Sequence, residues 1–152
     1  MYTVITKEVY RYLANHTCEL QDNKIRTVNV FAKDFDVYMS TLDFINSYIS
    51  RMDSYLDKAN TGEGPHKLPF VILGSVVYAS DLNNGKVYKY KIDMPDKKPQ
   101  RNDMSTDIKN VSCFSPAGSA LLFKELNDEV MIEAENKKLA VKIEEIDFEL
   151  TW

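Results

Sequence analysis

The chain has 152 residues, of which 44% are hydrophobic and 28% charged, and its formal net charge is −4. These numbers are typical of one medium globular domain or two small ones. The acidic balance argues against a nucleic-acid-binding protein, because phosphate contacts need a basic face. No apolar run approaches the ~20 residues of a membrane span and no secretory signal is visible, so we expect a cytoplasmic protein.

The first 60 residues carry the pattern of two helices. Apolar residues recur in alternating steps of three and four along one stretch, namely at Phe35, Tyr38, Leu42, Ile45, Ile49, Met52 and Leu56. This heptad seam predicts a helix over residues 33–58, about 39 Å long at 1.5 Å per residue. A weaker pattern, with Val9 and either Tyr12 or Leu13, predicts a partner helix over residues 6–20. We therefore expect a coiled-coil-like helical hairpin over residues 1–60, although the same seam would also suit a homodimer.

Residues 61–67 form the predicted linker, because Asn, Gly and Pro cluster there between two patterned regions. The second domain, residues 68–152, has the alternation of β-strands. We predict an antiparallel sheet with strands over 70–79, 86–92, 110–114, 129–134 and 139–146 and one short helix over 117–124. In the second strand we expect Val87, Tyr88, Tyr90 and Ile92 to point inward. The predicted fold class is α+β.

A strand-to-helix corner is predicted at Ser115-Pro116-Ala117-Gly118-Ser119. Proline fixes the backbone for a first helical turn, and the preceding serine can cap the exposed N–H groups. No conventional active site accompanies it. The chain has only two histidines, His16 and His66, and no Cys-x-x-Cys, His-Glu-x-x-His, Gly-rich phosphate loop or Gly-x-Ser-x-Gly motif. We expect a protein that is not an enzyme and that needs no cofactor of its own.

Several segments of the second half carry a family resemblance, in matching order and spacing. They are Leu73-Gly74-Ser75-Val76-Val77, Asp81-Leu82 with Gly85, Val111-Ser112 followed by Ser115-Pro116-x-Gly118-x-Ala120-Leu121-Leu122, Asn127-Asp128-Glu129-Val130, and Val141 to Ile146. This half resembles the C-terminal domain of the bacterial transcript cleavage factors GreA and GreB. It also resembles their relative, the regulator of nucleoside diphosphate kinase (Rnk), and we expect the chain to be closest to the Rnk-like members.

The resemblance implies an FKBP-like second domain that docks at the rim of the secondary channel of RNA polymerase. It places the docking role on Ser115, Pro116, Ala117, Gly118 and Ser119. The alternative is that some of these residues only shape the corner and pack its helix. We expect no sequence-specific nucleic-acid binding and no membrane association, and the oligomeric state stays open.

Two acidic residues, Asp34 and Asp36, fall where the hairpin would turn. They either cap the second helix or present carboxylates that share a Mg²⁺ ion with the polymerase. Counting back along the family pattern puts Asp34 at one of two acidic tip positions and Phe31 at the other. The family's Asp-Leu-x-Glu-Asn-Ala tip motif is absent. The resemblance therefore predicts a polymerase-binding regulator that does not stimulate transcript cleavage.

Two alternative functions remain at this point. An active cleavage factor would use Asp34 and Asp36 at the tip. A peptidyl-prolyl isomerase would need an aromatic-lined proline pocket, for which Tyr78, Tyr88, Tyr90 and Phe114 are the candidate rings.

Overall fold

The computed structural model describes residues 4–24, 26, 35–63, 67–94, 108–134 and 136–148. The chain divides into an N-terminal unit, residues 2–66, and a C-terminal unit that begins at Lys67. Helices make up most of the first unit and a five-stranded sheet dominates the second. The predicted α+β class is confirmed. The bounds of the 61–67 linker and the FKBP-like label stay predictions.

The N-terminal unit is a helical hairpin. Helix α1 spans Lys7–Asp22 and helix α2 spans Phe35–Lys58. Thr6 caps α1, since its hydroxyl accepts a hydrogen bond from the Val9 N–H at 3.2 Å. Strand β1 (Val4–Ile5) pairs in parallel with strand β2 (Asn60–Thr61), so the start of α1 lies beside the end of α2. The two helices therefore run antiparallel.

The heptad seam of α2 is covered by α1 within the chain. Ile45 and Met52 are fully buried, and on α1 the buried apolar residues are Val9 and Leu13. Leu13, rather than Tyr12, is thus the seam residue of the first helix. Tyr48 and Tyr55 are also buried, so the apolar face of α2 is wider than a strict heptad stripe. From Ile45 to Leu56 the seam is filled within the chain, so this part of it is not open for the homodimer considered above.

His16 lies in the interface between the two helices. Its Nε2 atom is 2.7 Å from the hydroxyl oxygen of Tyr48, and its ring stacks at 6.4 Å on that of Tyr12. Burial lowers the pKa of His16 to about 4, because the charged imidazolium would lose its water. The histidine is therefore a neutral packing residue of the hairpin.

The C-terminal unit is built on five strands and one short helix. They are β3 (Val76–Asp81), β4 (Val87–Asp93), β5 (Ile108–Ser112), α3 (Pro116–Leu121), β6 (Glu129–Ala134) and β7 (Lys137–Asp147). Their order in the sheet is β5-β4-β3-β7-β6. The inner face is buried and supplies about half of the core of this unit, with Val77, Ala79, Tyr90, Ile92, Val130, Ile132, Val141 and Ile143.

The prediction of a wholly antiparallel sheet was wrong at one strand. β5 pairs in parallel with β4, while the other three pairings are antiparallel. A parallel neighbour needs a crossover of a dozen or more residues. Residues 94–107 separate β4 from β5 and are long enough for that crossover.

The predicted strand over residues 70–79 begins only at Val76. The preceding residues are buried but bond elsewhere, because the Val71 N–H donates to the Lys124 carbonyl and the Phe123 N–H donates to the Val71 carbonyl, at 2.9 and 2.8 Å. Gly74 then turns the chain with a φ of 85°, a conformation that glycine adopts without strain. A continuous apolar run thus contains a buried loop and a strand.

Val87 was also predicted wrongly. It shares a face of β4 with Lys89 and Lys91 and is 50% exposed, whereas Tyr90 and Ile92 point into the core. Successive side chains of a strand alternate between faces, so Val87 cannot join the inward set of even-numbered residues. The turn before it agrees with the sequence, since Gly85 has a φ of 75° and its N–H donates to the Asp81 carbonyl at 2.8 Å.

Among the described residues, no helix combines the length and the apolar character needed to cross a bilayer.

Candidate protein-docking site

The corner between β5 and α3 is held together by Ser115. Its backbone is extended, with φ −70° and ψ 160°, and its hydroxyl accepts a hydrogen bond from the Gly118 N–H at 3.0 Å. The same hydroxyl donates to the Ser112 carbonyl at 2.6 Å. Ser115 is the N-cap of α3, as the sequence predicted, and both roles of its hydroxyl are used inside the corner.

Gly118 allows α3 to lie directly against the end of β5. A Cβ atom built on Gly118 would be 1.9 Å from the Ser112 carbonyl oxygen and 2.8 Å from its carbonyl carbon. Both atoms belong to the backbone, so no side-chain rotation would relieve the overlap. Gly118 is buried and shapes the corner from within. The sequence could not distinguish this role from docking.

Four residues of the corner face outward, and we call them the corner patch: Phe114, Pro116, Ala117 and Ser119. Phe114 is 46% exposed, which is high for a large aromatic side chain. Pro116 and Ser119 are exposed, and Ala117 is partly exposed. The patch therefore presents an aromatic ring, a proline ring and a hydroxyl on a rigid turn.

Phe114 is the residue that sequence reasoning missed as a candidate for docking. It was considered only as a ring for a proline pocket. No sequence pattern separates it from its neighbour Cys113, which is 2% exposed, because both residues lie in the turn that follows β5. Burial raises the pKa of the Cys113 thiol to about 12, so this cysteine remains protonated and unreactive.

The corner patch lies in an uncharged part of the chain. No Asp, Glu, Lys, Arg or His occurs from Val111 to Phe123. The hydroxyl group of Ser119, which belongs to the patch, donates a hydrogen bond to the Ser115 carbonyl at 2.8 Å, and Ser119 is exposed. The residues of this segment can therefore contribute shape, apolar contact and hydrogen bonding to the recognition of a partner.

The two tip residues are only partly described. Asp36 is exposed in the first turn of α2, where a carboxylate is stabilised by the helix dipole. Asp34 lies outside the described residues. Within the described ranges, no three His, Cys, Asp or Glu residues lie close enough together to hold a metal ion.

Only two of the four candidate rings of a proline pocket lie together: Tyr88 and Tyr90 stack with their ring centroids 6.2 Å apart. Tyr78 pairs with Lys89 across the sheet, while Tyr90 pairs with Val77, which places the two tyrosines on opposite faces. Phe114 stands at the corner beyond β5. The structure thus does not bring these side chains together into one aromatic-lined site.

The family described as "Transcription elongation factor, GreA/GreB, C-term" matches residues 66–148. The chain belongs to the GreA/GreB family. The match contains the whole corner patch and all five strands of the large sheet, and it leaves out both helices of the hairpin. Membership of an Rnk-like branch of the GreA/GreB family stays a prediction.

A curated relative in the family is transcription elongation factor GreA of Solidesulfovibrio magneticus. It is 32% identical over 108 residues, which cover 70% of this chain and 58% of that protein. The chain thus matches less than two thirds of the length of that relative.

Solved structures in the GreA/GreB family are similar only at a low level. GreA factor homolog 1 (Gfh1) of Thermus thermophilus is 18% identical, with 97% of this chain and 99% of that chain covered and a TM-score of 0.42. The transcription elongation factor GreA/GreB of Nitrosomonas europaea is 20% identical, with 66% and 79% covered and a TM-score of 0.43. The assignment to the family rests on the sequence match.

Proposed function

We propose that this chain is a transcription elongation regulator that binds RNA polymerase through the corner patch, at the rim of the secondary channel. The family is described by its role in transcription elongation, and the related GreA carries the same description. The observation that carries the proposal is that some residues of the corner hold the turn together while others face outward. Ser115 and Gly118 hold the turn from inside, which leaves Phe114, Pro116 and Ser119 fixed and facing outward.

The chemistry of the corner patch defines the kind of contact. Because residues 111–123 carry no charge, the attraction comes from burial of the Phe114 and Pro116 rings and from the Ser119 hydroxyl. Such a contact depends little on ionic strength, unlike one made by opposite charges. The net charge of −4 still favours approach to a basic polymerase surface at low salt.

The proposed mechanism is occupancy of the channel without chemistry. Asp36 is one exposed carboxylate near the start of α2, and the sequence offers Phe31 where the family pattern has its second acid. A phenyl ring cannot bind Mg²⁺, which takes oxygen ligands. In this proposal the chain is an accessory factor that competes with cleavage-stimulating relatives for one site on the polymerase, and any catalysis belongs to the polymerase.

Binding to the cognate polymerase tests the docking surface. Phe114→Ala and Pro116→Ala should each weaken binding about tenfold or more, as truncation of a central aromatic contact does. Leu82→Ala is the matched control, because Leu82 and Phe114 are both 46% exposed while Leu82 lies in the β3–β4 turn. Equal losses in all three variants, or no binding by the wild type, would overturn the proposal.

Transcript cleavage in backtracked elongation complexes tests the occupancy mechanism. We expect binding without faster cleavage, and inhibition of cleavage when GreA is also present. Cleavage by the wild type that disappears in an Asp34→Ala/Asp36→Ala variant would show an active cleavage factor instead. The binding and cleavage outcomes are separate, so docking can be confirmed while occupancy is refuted.

A further inference from the structure

The large sheet has a second face, opposite the buried core, which we call the outer face. Two rows of paired residues cross its three central strands. Lys91, Val76 and Asp147 form one row, and Lys89, Tyr78 and Glu145 form the next. Paired residues of neighbouring strands point to the same side of the sheet. Each row therefore has a lysine on β4, an apolar or aromatic residue on β3 and an acidic residue on β7.

The charges of these two rows are separated into two columns. Lys89 and Lys91 lie on β4, and Glu145 and Asp147 lie on β7, with β3 between them. Two strand spacings of about 4.8 Å put the columns about 10 Å apart. Tyr78 stands between them, and the Lys89 ammonium lies 5.6 Å from the centre of its ring. Within these two rows the face is thus basic on β4 and acidic on β7, whereas Lys142, which pairs with Ser80 in the following row, adds a lysine to the β7 side.

A β-bulge strengthens the acidic column. The pairing of β3 with β7 shifts between Tyr78 and Ala79, so Glu144 is an extra residue in β7. Glu144 also reaches the outer face, where its Oε1 accepts a hydrogen bond from the Ser80 hydroxyl at 2.8 Å. Both Glu144 and Glu145 are exposed. Without the bulge, strict alternation would have sent one of these two neighbours toward the core.

This pattern is complementary to itself. A two-fold axis parallel to β3 turns a second copy so that its basic column lies over the acidic column of the first. The rows stay in register under that rotation, because each row holds one lysine and one acid at the same height. Lys91 then faces Asp147 of the second copy, Lys89 faces Glu145, and the two Tyr78 rings meet near the axis. A two-fold axis across the strands would instead place lysine over lysine.

We infer that the outer face of the sheet binds a second copy of this chain, face to face, through the two charge columns and the Tyr78 row between them. The footprint of three strands is roughly 14 Å by 20 Å, or about 300 Å² per copy, well below the ~800 Å² of a standard interface. The dimer is therefore weak, with a Kd on the order of 100 µM, and salt weakens it further because its ion pairs are exposed.

Sedimentation equilibrium of the full chain tests the inference. The wild type should dimerise reversibly between about 20 and about 500 µM in about 50 mM NaCl, and become mainly monomeric in about 500 mM NaCl. Lys89→Glu/Lys91→Glu puts acids at all four charged positions of the two rows, and Glu145→Lys/Asp147→Lys puts lysines at all four. Each variant alone should be monomeric in low salt, because like charges would then face each other.

Mixing the two variants is the decisive step. An acidic face should bind a basic one through all four charge pairs, so the equimolar mixture should form a heterodimer at least as readily as the wild type forms its dimer. Lys67→Glu/Lys124→Glu is the control, because it changes the net charge by the same amount at two exposed lysines outside the columns. It should dimerise like the wild type.

Two outcomes would overturn the inference. The first is a wild type that stays monomeric at the highest concentration in low salt. The second is a dimer that survives both charge reversals or fails to re-form in the mixture, although circular dichroism shows both variants to be folded. The test does not involve RNA polymerase, so it stands or falls independently of the proposed docking function.

Discussion

Replacing Gly118 by alanine should destabilise the C-terminal unit, against the ordinary trend for a helix. Within an exposed helix, alanine is more favourable than glycine by about 1 kcal/mol. At Gly118 the new methyl carbon would lie 1.9 Å from the Ser112 carbonyl oxygen, so α3 would have to move by more than 1 Å to reach an ordinary contact distance. Overpacking of this kind costs about 1–3 kcal/mol.

The expected net effect is the difference of these two contributions, a loss of about 1 kcal/mol in the free energy of unfolding, or roughly a fivefold rise in the unfolding constant. Moving α3 would also disturb Leu121, which is fully buried on the core side of the helix. Urea titration should show a lower midpoint with an unchanged m value. Hydrogen exchange in peptides that cover β5 and α3 would assign the loss to this unit rather than to the hairpin.

Ser119→Ala is the control for Gly118→Ala, because Ser119 is the next residue of the same helix and is exposed. It should change the unfolding free energy by less than about 0.5 kcal/mol. If Gly118→Ala were as stable as the wild type or more stable, the close approach of α3 to β5 would be refuted.

Three further predictions concern single side chains. The pKa of His16 is lowered from 6.5 to about 4 in the folded chain, so the unfolded chain binds a proton at a higher pH than the folded chain does. The free energy of unfolding should therefore be highest above pH 6.5 and fall by up to about 3 kcal/mol as the pH drops to 4. Thermal melting should show this loss in the wild type, and a His16→Gln variant that keeps the same slope would refute it. Cys18 is exposed and Cys113 buried, so iodoacetamide at pH 8 should alkylate Cys18 first by mass spectrometry; equal rates would contradict the high pKa of Cys113. Ser115→Ala removes the cap of α3 and should cost about 1 kcal/mol in urea unfolding, whereas no loss would mean that the cap is replaceable.

The local elements of this fold were predictable because their signals lie in short stretches of sequence. The heptad steps gave a helix over 33–58, and the structure has it at Phe35–Lys58. Alternation gave a strand over 129–134, and β6 is Glu129–Ala134. In both cases the residues that specify the element are also the residues within it.

The direction of β5 and the extent of β3 were not predictable by the same reasoning. A strand has the same alternation whether its neighbour is parallel or antiparallel, so the alternation of β5 does not tell that it runs parallel to β4. The apolar run before β3 bonds to residues 123 and 124, some 50 positions later. Long-range backbone bonds of this kind leave no pattern in the run itself.

The candidate site shows a similar division. The Ser115 cap and the helix start followed from residue types with known backbone preferences. The close contact of Gly118 depends on where the chain of Ser112 passes, and the exposure of Phe114 depends on where β5 ends. Sequence reasoning located the corner, and only the structure separated its supporting residues from its outward-facing ones.

The pairing of β1 with β2 has a consequence for how this protein can change over evolutionary time. Val4 lies beside Asn60, so the chain enters and leaves the hairpin at a single point. A segment whose ends adjoin can be lengthened, shortened or replaced without rerouting the polypeptide that follows it. The helical hairpin can therefore be exchanged as a unit. Recombination can replace its tip while the strands from Val76 onward keep their sequence and their partners.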